Sequence, residues 1–203
     1  LQKSTKDRGE LVSELGRAFL KTAVLRIGDF NISSGAKTPY YIDLRRVASF
    51  PTIFSIVIDC LESELSKLLK KNVPAGIGGI PITGLLFGSI IAHEHSLPLV
   101  YSPTDSEHKI IGVVAPGASV LVIDDVSETG LSIISAAKAI RANGGVVSDA
   151  LTLLDRSEGA AKILRENGIS LHCFATVREL ALKLKENLAL SDEEAEFVES
   201  HVI

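Results

Sequence analysis

The residues best suited to chemistry fall in one run, Val120-Leu121-Val122-Ile123-Asp124-Asp125-Val126-Ser127-Glu128-Thr129-Gly130-Leu131-Ser132. A buried, largely β-branched stretch delivers two adjacent carboxylates at the C-terminal end of a strand, and Ser, Thr and Gly then open a helix. In open α/β sheets ligands bind at the C-terminal ends of the strands. Loop amides, a helix N-terminus and the hydroxyls of Ser127, Thr129 and Ser132 make a site for an anion. Two acids beside an anion site make sense only if they serve another part of the ligand. A ribose diol and a Mg²⁺-bound diphosphate suit them. The bland alternative is a strand ending in solvated carboxylates before a capped helix.

Three further groups carry chemistry. Arg156 follows Leu153-Leu154-Asp155 at a strand end, where a guanidinium fork grips a carboxylate. Tyr40 and Tyr41 are adjacent rings able to close over a flat ligand. Gly78 and Gly79 follow Ile77 and let backbone amides approach an anion closely. Taken singly, each has a plain structural alternative: a surface residue at a helix start, strand filler, and a tight strand-to-helix turn.

The elements that must position these groups read as an alternation. Glu10 to Leu25 has a helical apolar period, and Phe30 to Ile32 and Tyr40 to Leu44 are short strands around a turn. Pro51 opens a long amphipathic helix to about Leu69. Strands are then expected at Ala75–Ile77, Pro98–Tyr101, Ser119–Ile123, Val146–Leu154 and Leu171–Phe174. Between and after them come helices from Pro81, Leu131, about Ser157 and Val177, with Ser191 and Glu194 as a capping box for a last one. Strands alternating with helices of this length predict a mostly parallel sheet flanked by helices on both faces.

Composition sets the bounds. The chain has 203 residues, 46% hydrophobic and 23% charged, enough for one sizeable core and against disorder. A net charge of −4 gives no basic face for nucleic acid. No apolar run approaches the ~20 residues of a membrane helix, and the opening residues do not read as a signal peptide. Cys60 and Cys173 lie far apart in apolar segments and read as reduced thiols of a cytoplasmic protein.

The Val120 to Ser132 string resembles the 5-phosphoribosyl-1-diphosphate (PRPP) signature of the type I phosphoribosyltransferases. Phe30 to Arg45 is similar to the N-terminal hood segment of the orotate phosphoribosyltransferases, and Leu153-Leu154-Asp155-Arg156 resembles the segment whose Arg holds orotate there. The likeness runs from the first helix to His172. It implies a single type I phosphoribosyltransferase domain over residues 1–203, with a hood over about 1–48 and a core over about 49–203. It implies transfer of phosphoribose from PRPP to orotate, giving orotidine 5′-phosphate and diphosphate, with Mg²⁺ carried by PRPP and not held directly by the protein. By resemblance, Asp124 and Asp125 take the ribose, and Ser127, Glu128, Thr129, Gly130, Leu131 and Ser132 take the 5′-phosphate. Gly78 and Gly79 belong to the diphosphate loop, and Ser33, Tyr40, Tyr41 and Arg156 to the orotate pocket. A homodimer is implied in the same way.

Two departures from the family pattern stand out. The catalytic loop of the orotate branch brings an Arg-Lys pair, a further Lys and a His to the departing diphosphate. Here Pro103 and Thr104 replace the pair, the loop is roughly five residues shorter, and only His108 and Lys109 remain as substitutes. Glu128 stands where that branch has Thr. Beside an anionic base and a phosphate, a carboxylate at ~4 Å and an effective dielectric of about 20 faces about 4 kcal/mol of repulsion from each. Glu128 must therefore point away, be neutralised, or signal another ligand. A PRPP- or nucleotide-binding relative with little catalysis, or a transferase for another base, is the alternative reading.

Overall fold

The computed structural model describes residues 7–31, 37–103, 109–187, 189–191, 193 and 196. Contacts divide the chain into two compact units, Leu1–Asp59 with Ala175–Ile203, and Cys60–Phe174. The hood drawn from the sequence ends near residue 48. The first unit runs further and also takes in the C-terminal segment.

In the first unit, α1 (Arg8–Lys21) buries Leu11, Val12, Leu15 and Phe19 and packs against α6 (Val177–Glu186). Both helices start in capping boxes, Asp7 with Glu10 and Thr176 with Glu179, each satisfying amides that a helix start leaves free. The apolar period had suggested a helix to Leu25. The chain instead leaves it at Lys21, passes Ala23 at φ 53, and enters β1 (Leu25–Asn31). β1 pairs antiparallel with β2 (Lys37–Ile42), with Ile27 opposite Tyr40. Residues 32–36, Ser33 among them, lie outside the described residues. So does Glu194 of the expected C-terminal capping box. A 3-10 turn, Leu44–Ser49, leads to α2 (Pro51–Leu69), within which the unit boundary falls.

The second unit is built on five strands: β3 (Gly76–Gly79), β4 (Leu99–Val100), β5 (Val120–Ser127), β6 (Asp149–Asp155) and β7 (Ser170–Thr176). Their order is β4-β3-β5-β6-β7, and the β3–β4, β3–β5 and β5–β6 pairs are parallel. Helices α3 (Thr83–Glu94), α4 (Leu131–Ala142) and α5 (Ala160–Glu166) connect them. Val120, Val122, Ile133, Ile140, Val147 and Leu164 are buried together in one core. The sheet is the expected α/β arrangement, reached because apolar strands buried on both faces need helical cover.

Three local expectations change. Gly78 and Gly79 are not a turn but the end of β3, buried and opposite Val122 and Ile123 of β5; the chain turns afterwards, at Ile80–Ile82. β5 does not stop at Ile123 but carries both aspartates within the strand to Ser127. The helix expected from Ser157 begins only at Ala160. Gly84 shows why α3 sits so close to β5: a Cβ there would lie 2.5 Å from Ile123 O and 2.8 Å from Asp124 Cα. Only glycine allows that approach.

Candidate functional site

Extending β5 through the Asp-Asp pair separates the pair, because successive strand side chains point to opposite faces. Asp124 and Val126 turn into a cavity of about 230 Å³ that is otherwise lined by residues 127–130, Ser132 and Ile133. Asp125 does not line it. The first carboxylate is 7% exposed, while Asp125 keeps more surface. Asp124 Oδ1 accepts the Asp125 amide at 2.9 Å, and Asp125 Oδ1 accepts that of Val126 at 2.8 Å.

Burial, reinforced by the neighbouring Asp125 charge, holds the Asp124 carboxyl well above the usual carboxylate range. In that state the folded chain holds a proton that the unfolded chain has lost. Stability therefore falls as pH rises from the ordinary carboxylate range through the raised value. Asp124→Asn keeps an oxygen for the Asp125 amide and removes the buried charge. It is expected to raise the unfolding temperature at pH 8, by about 2–4 °C per kcal/mol gained, and by less at pH 4, while weakening any diol ligand. Thermal unfolding at the two pH values, with calorimetry for the ligand, checks both. A variant less stable at pH 8 would contradict it.

The helix end of the cavity is open. Gly130 is the N-cap of α4 at φ 78, and no side chain caps the helix; Thr129 Oγ1 accepts only a long 3.5 Å contact from the Leu131 amide. The first amides of α4 and the exposed Thr129 and Ser132 thus face the cavity as donors. Ser127 differs from them. Its hydroxyl donates to Asp155 Oδ1 at 2.7 Å, and the Ser157 amide donates to the same oxygen at 3.1 Å. Ser127 O accepts the Arg156 amide at 2.9 Å. Ser127 therefore ties the loop to the end of β6, and a phosphate would have to take its proton from Asp155. Sequence reasoning missed Asp155. Only the register that sets Ser127 opposite Asp155 exposes its role.

Arg156 emerges directly after β6 with its side chain 15% exposed. Its Nε lies 2.7 Å from Glu158 Oε1, and its Nη1 lies 3.7 Å from Glu128 Oε2. Glu128 thus has a cation within 4 Å.

The remaining candidates are placed separately. Tyr40 is 1% exposed, and Tyr41 keeps surface, with Arg26 over its ring at 4.9 Å and Phe30 at 5.8 Å between centroids. Burial divides a pair that was expected to face a ligand together. Ile111 returns to pair with Tyr101, leaving Lys109 exposed beside that bridge; His108 lies outside the described residues. Among the described residues no group of three or more His, Cys, Asp or Glu converges for a metal, and no helix is long and apolar enough to cross a membrane. A second cavity, of about 270 Å³, lies at the opposite ends of the strands, lined by Leu68, Pro74, Val120 and Leu121 together with the polar Lys71, Asn72, Ser119, Asp149, Ser170 and His172.

No family model matches the chain. Individual proteins do. It is 38% identical over 174 residues to the orotate phosphoribosyltransferase of Cenarchaeum symbiosum, covering 82% of this chain and 86% of that one. This chain belongs to the orotate phosphoribosyltransferases. The solved enzyme of that name from Aeropyrum pernix matches with a TM-score of 0.75 at 32% identity, over 84% of this chain and 99% of that one. The UMP synthase of Leishmania donovani matches with a TM-score of 0.83 at 28% identity, over 94% of this chain but only 42% of that longer one. An orotate phosphoribosyltransferase of Mycobacterium tuberculosis, solved in complex with PRPP, matches with a TM-score of 0.67 at 26% identity, over 86% of this chain and 99% of that one. The type I phosphoribosyltransferase fold is thus common to the chain and its solved relatives.

Proposed function

We propose that this orotate phosphoribosyltransferase transfers phosphoribose from PRPP to orotate, giving orotidine 5′-phosphate and diphosphate in pyrimidine synthesis. The observation that carries the reading is a cavity lined by a buried acid, Asp124, and by an uncapped helix N-terminus, the Thr129–Ser132 turn, with the Arg156 guanidinium 3.7 Å from Glu128, another of its lining residues. The turn suits the 5′-phosphate, Asp124 the ribose hydroxyls, and Arg156 the orotate carboxylate. By family likeness alone, Tyr41 and Ser33 are assigned to orotate and Gly78 and Gly79 to the diphosphate. Asp125, turned off the cavity, supports the position of Asp124 through its amide.

The transition state is oxocarbenium-like at the anomeric carbon, so the protein's task is to position the reactants and answer charge. No covalent nucleophile is required. With two carboxylates at the cavity, Asp124 and Glu128, and no cage of three or more ligating groups among the described residues, the chain suits Mg²⁺ that arrives on the diphosphate. The ion would supply charge neutralisation for the leaving group. We place the enzyme in the cytoplasm as a homodimer. Neither cysteine forms a disulfide, and the exposed Ile82, Leu86 and Leu131 give a second copy apolar surface.

Orotate-dependent consumption of PRPP, run with a panel of bases, tests the reading: orotate should be the preferred base. Turnover is expected to be slow. The 102–117 segment sets Asp105 and Glu107 against Lys109 and His108 and brings no net positive charge to the leaving group. Loss of about 3 kcal/mol of support costs roughly a hundredfold in rate. Steady-state kcat should therefore lie well below ~10 s⁻¹, and grafting an Arg-Lys pair at Pro103 and Thr104, with the missing length restored, should raise it. A wild-type kcat at or above that value would show that the segment's own cations suffice.

A further inference from the structure

Arg156 already has a carboxylate on each of two sides. Glu158 makes a short, charge-assisted hydrogen bond to Nε at 2.7 Å. Glu128 stands 3.7 Å from Nη1, beyond hydrogen-bond distance, and holds on by charge alone. The two partners also differ in freedom: the Glu128 side chain is 44% exposed and that of Glu158 is 28% exposed. Glu158 is thus the anchor that orients the guanidinium, and Glu128 is a loosely held counterion over its Nη1 side. Glu128 also borders the phosphate cavity beside Thr129 and Gly130.

We propose that Glu128 is a specificity-determining residue that competes with the carboxylate of an acidic base for Arg156. This rests on the reading of Arg156 as the orotate receptor. A base carboxylate needs two N–H groups of the guanidinium in a fork. Nε is taken by Glu158, so the fork must form on the Nη1 side, where Glu128 stands. Three carboxylates around one cation leave two negative charges unanswered, so Glu128 must swing away as the base enters. That exchange subtracts from the affinity for an acidic base. It leaves unchanged the affinity for the same ring without its carboxylate. Glu128 therefore narrows the preference for orotate over uracil.

The test is calorimetric binding of orotate, uracil and PRPP to the wild type and to Glu128→Gln, with Glu128→Thr as a second variant should the first fold poorly. The expected result is orotate binding about tenfold tighter in the variant, a change of about 1.4 kcal/mol, with uracil unchanged. Orotate binding by the variant alone is the same result in stronger form. If the wild type binds orotate and neither variant binds it more tightly, the competition is disproved and the receptor role of Arg156 stands. Equal gains for orotate and uracil would assign the effect to loop rearrangement and likewise overturn it. If PRPP binds but no form binds orotate, the orotate reading falls and takes this proposal with it.

Discussion

The double variant Thr129→Val, Gly130→Val should bind PRPP at least tenfold more weakly than the wild type, a loss of about 1.4 kcal/mol or more. Gly130 occupies the left-handed region at φ 78, where a β-branched residue is a severe outlier. A Cβ there would also stand 3.0 Å from Leu164 Cγ, in the core behind the loop. Valine must therefore pull the turn out of its conformation, and the first amides of α4 lose their common aim. Thr129→Val removes an exposed hydroxyl donor at the mouth of the same cavity without that strain. The single Thr129 variant should fold like the wild type and lose a smaller share of the affinity. Calorimetry with PRPP, beside the unfolding temperature of each variant, separates a damaged cradle from a damaged fold. Unchanged PRPP binding in the double variant would remove the phosphate from this loop.

Arg156→Ala should cost orotate far more than PRPP. A charge-assisted bond to a carboxylate is worth about 1.5–3 kcal/mol, roughly a tenfold to 150-fold loss. The structure pushes the expectation to the upper end. Without the guanidinium, Glu128 and Glu158 lose their shared counterion, and an incoming carboxylate meets two acids with no cation between them. PRPP suffers only through Glu128, whose charge is then less well answered at the edge of the phosphate cavity. A loss of a few-fold there is expected. The contrast is read by titrating each ligand into the same preparation. Equal losses for both would mean that Arg156 holds the loop and not the base.

These two outcomes divide the site. The first perturbs a local device, a turn and a helix start encoded in consecutive residues. The second perturbs a device assembled from residues 128, 156 and 158, two of which follow β6 while the third follows β5. That difference explains what was legible in advance. The strand, glycine turn and helix start that line the cavity could be read from the chain because they are local, and their residue types carry the geometry. The α/β class was readable for the same reason: hydrophobic period and turn residues alternate along the chain whatever the tertiary context.

The finer local readings gained detail where the ladder supplied partners. Sequence placed Ser127 among phosphate donors, but parallel pairing sets it opposite Asp155, which takes its hydroxyl. Gly78 and Gly79 looked like a turn because glycines often make one. Pairing with β5 draws them into the strand, where the absence of a Cβ admits Ile140 of α4 beside Gly78 and Leu85 of α3 beside Gly79.

By itself, then, the sequence determined the fold class, the family, the strand-turn-helix run of Val120 to Ser132 and the two departures, Glu128 and the short segment without an Arg-Lys pair. Only the tertiary structure decided that Asp124 enters the cavity and Asp125 does not, that Tyr40 is buried while Tyr41 is not, and that Arg156 carries two carboxylates. The physical reason is the same in each case. Residue types and local spacing set backbone conformation. Strand length, register and burial, which depend on partners far away in the chain, set which way a side chain points and what charge it meets there.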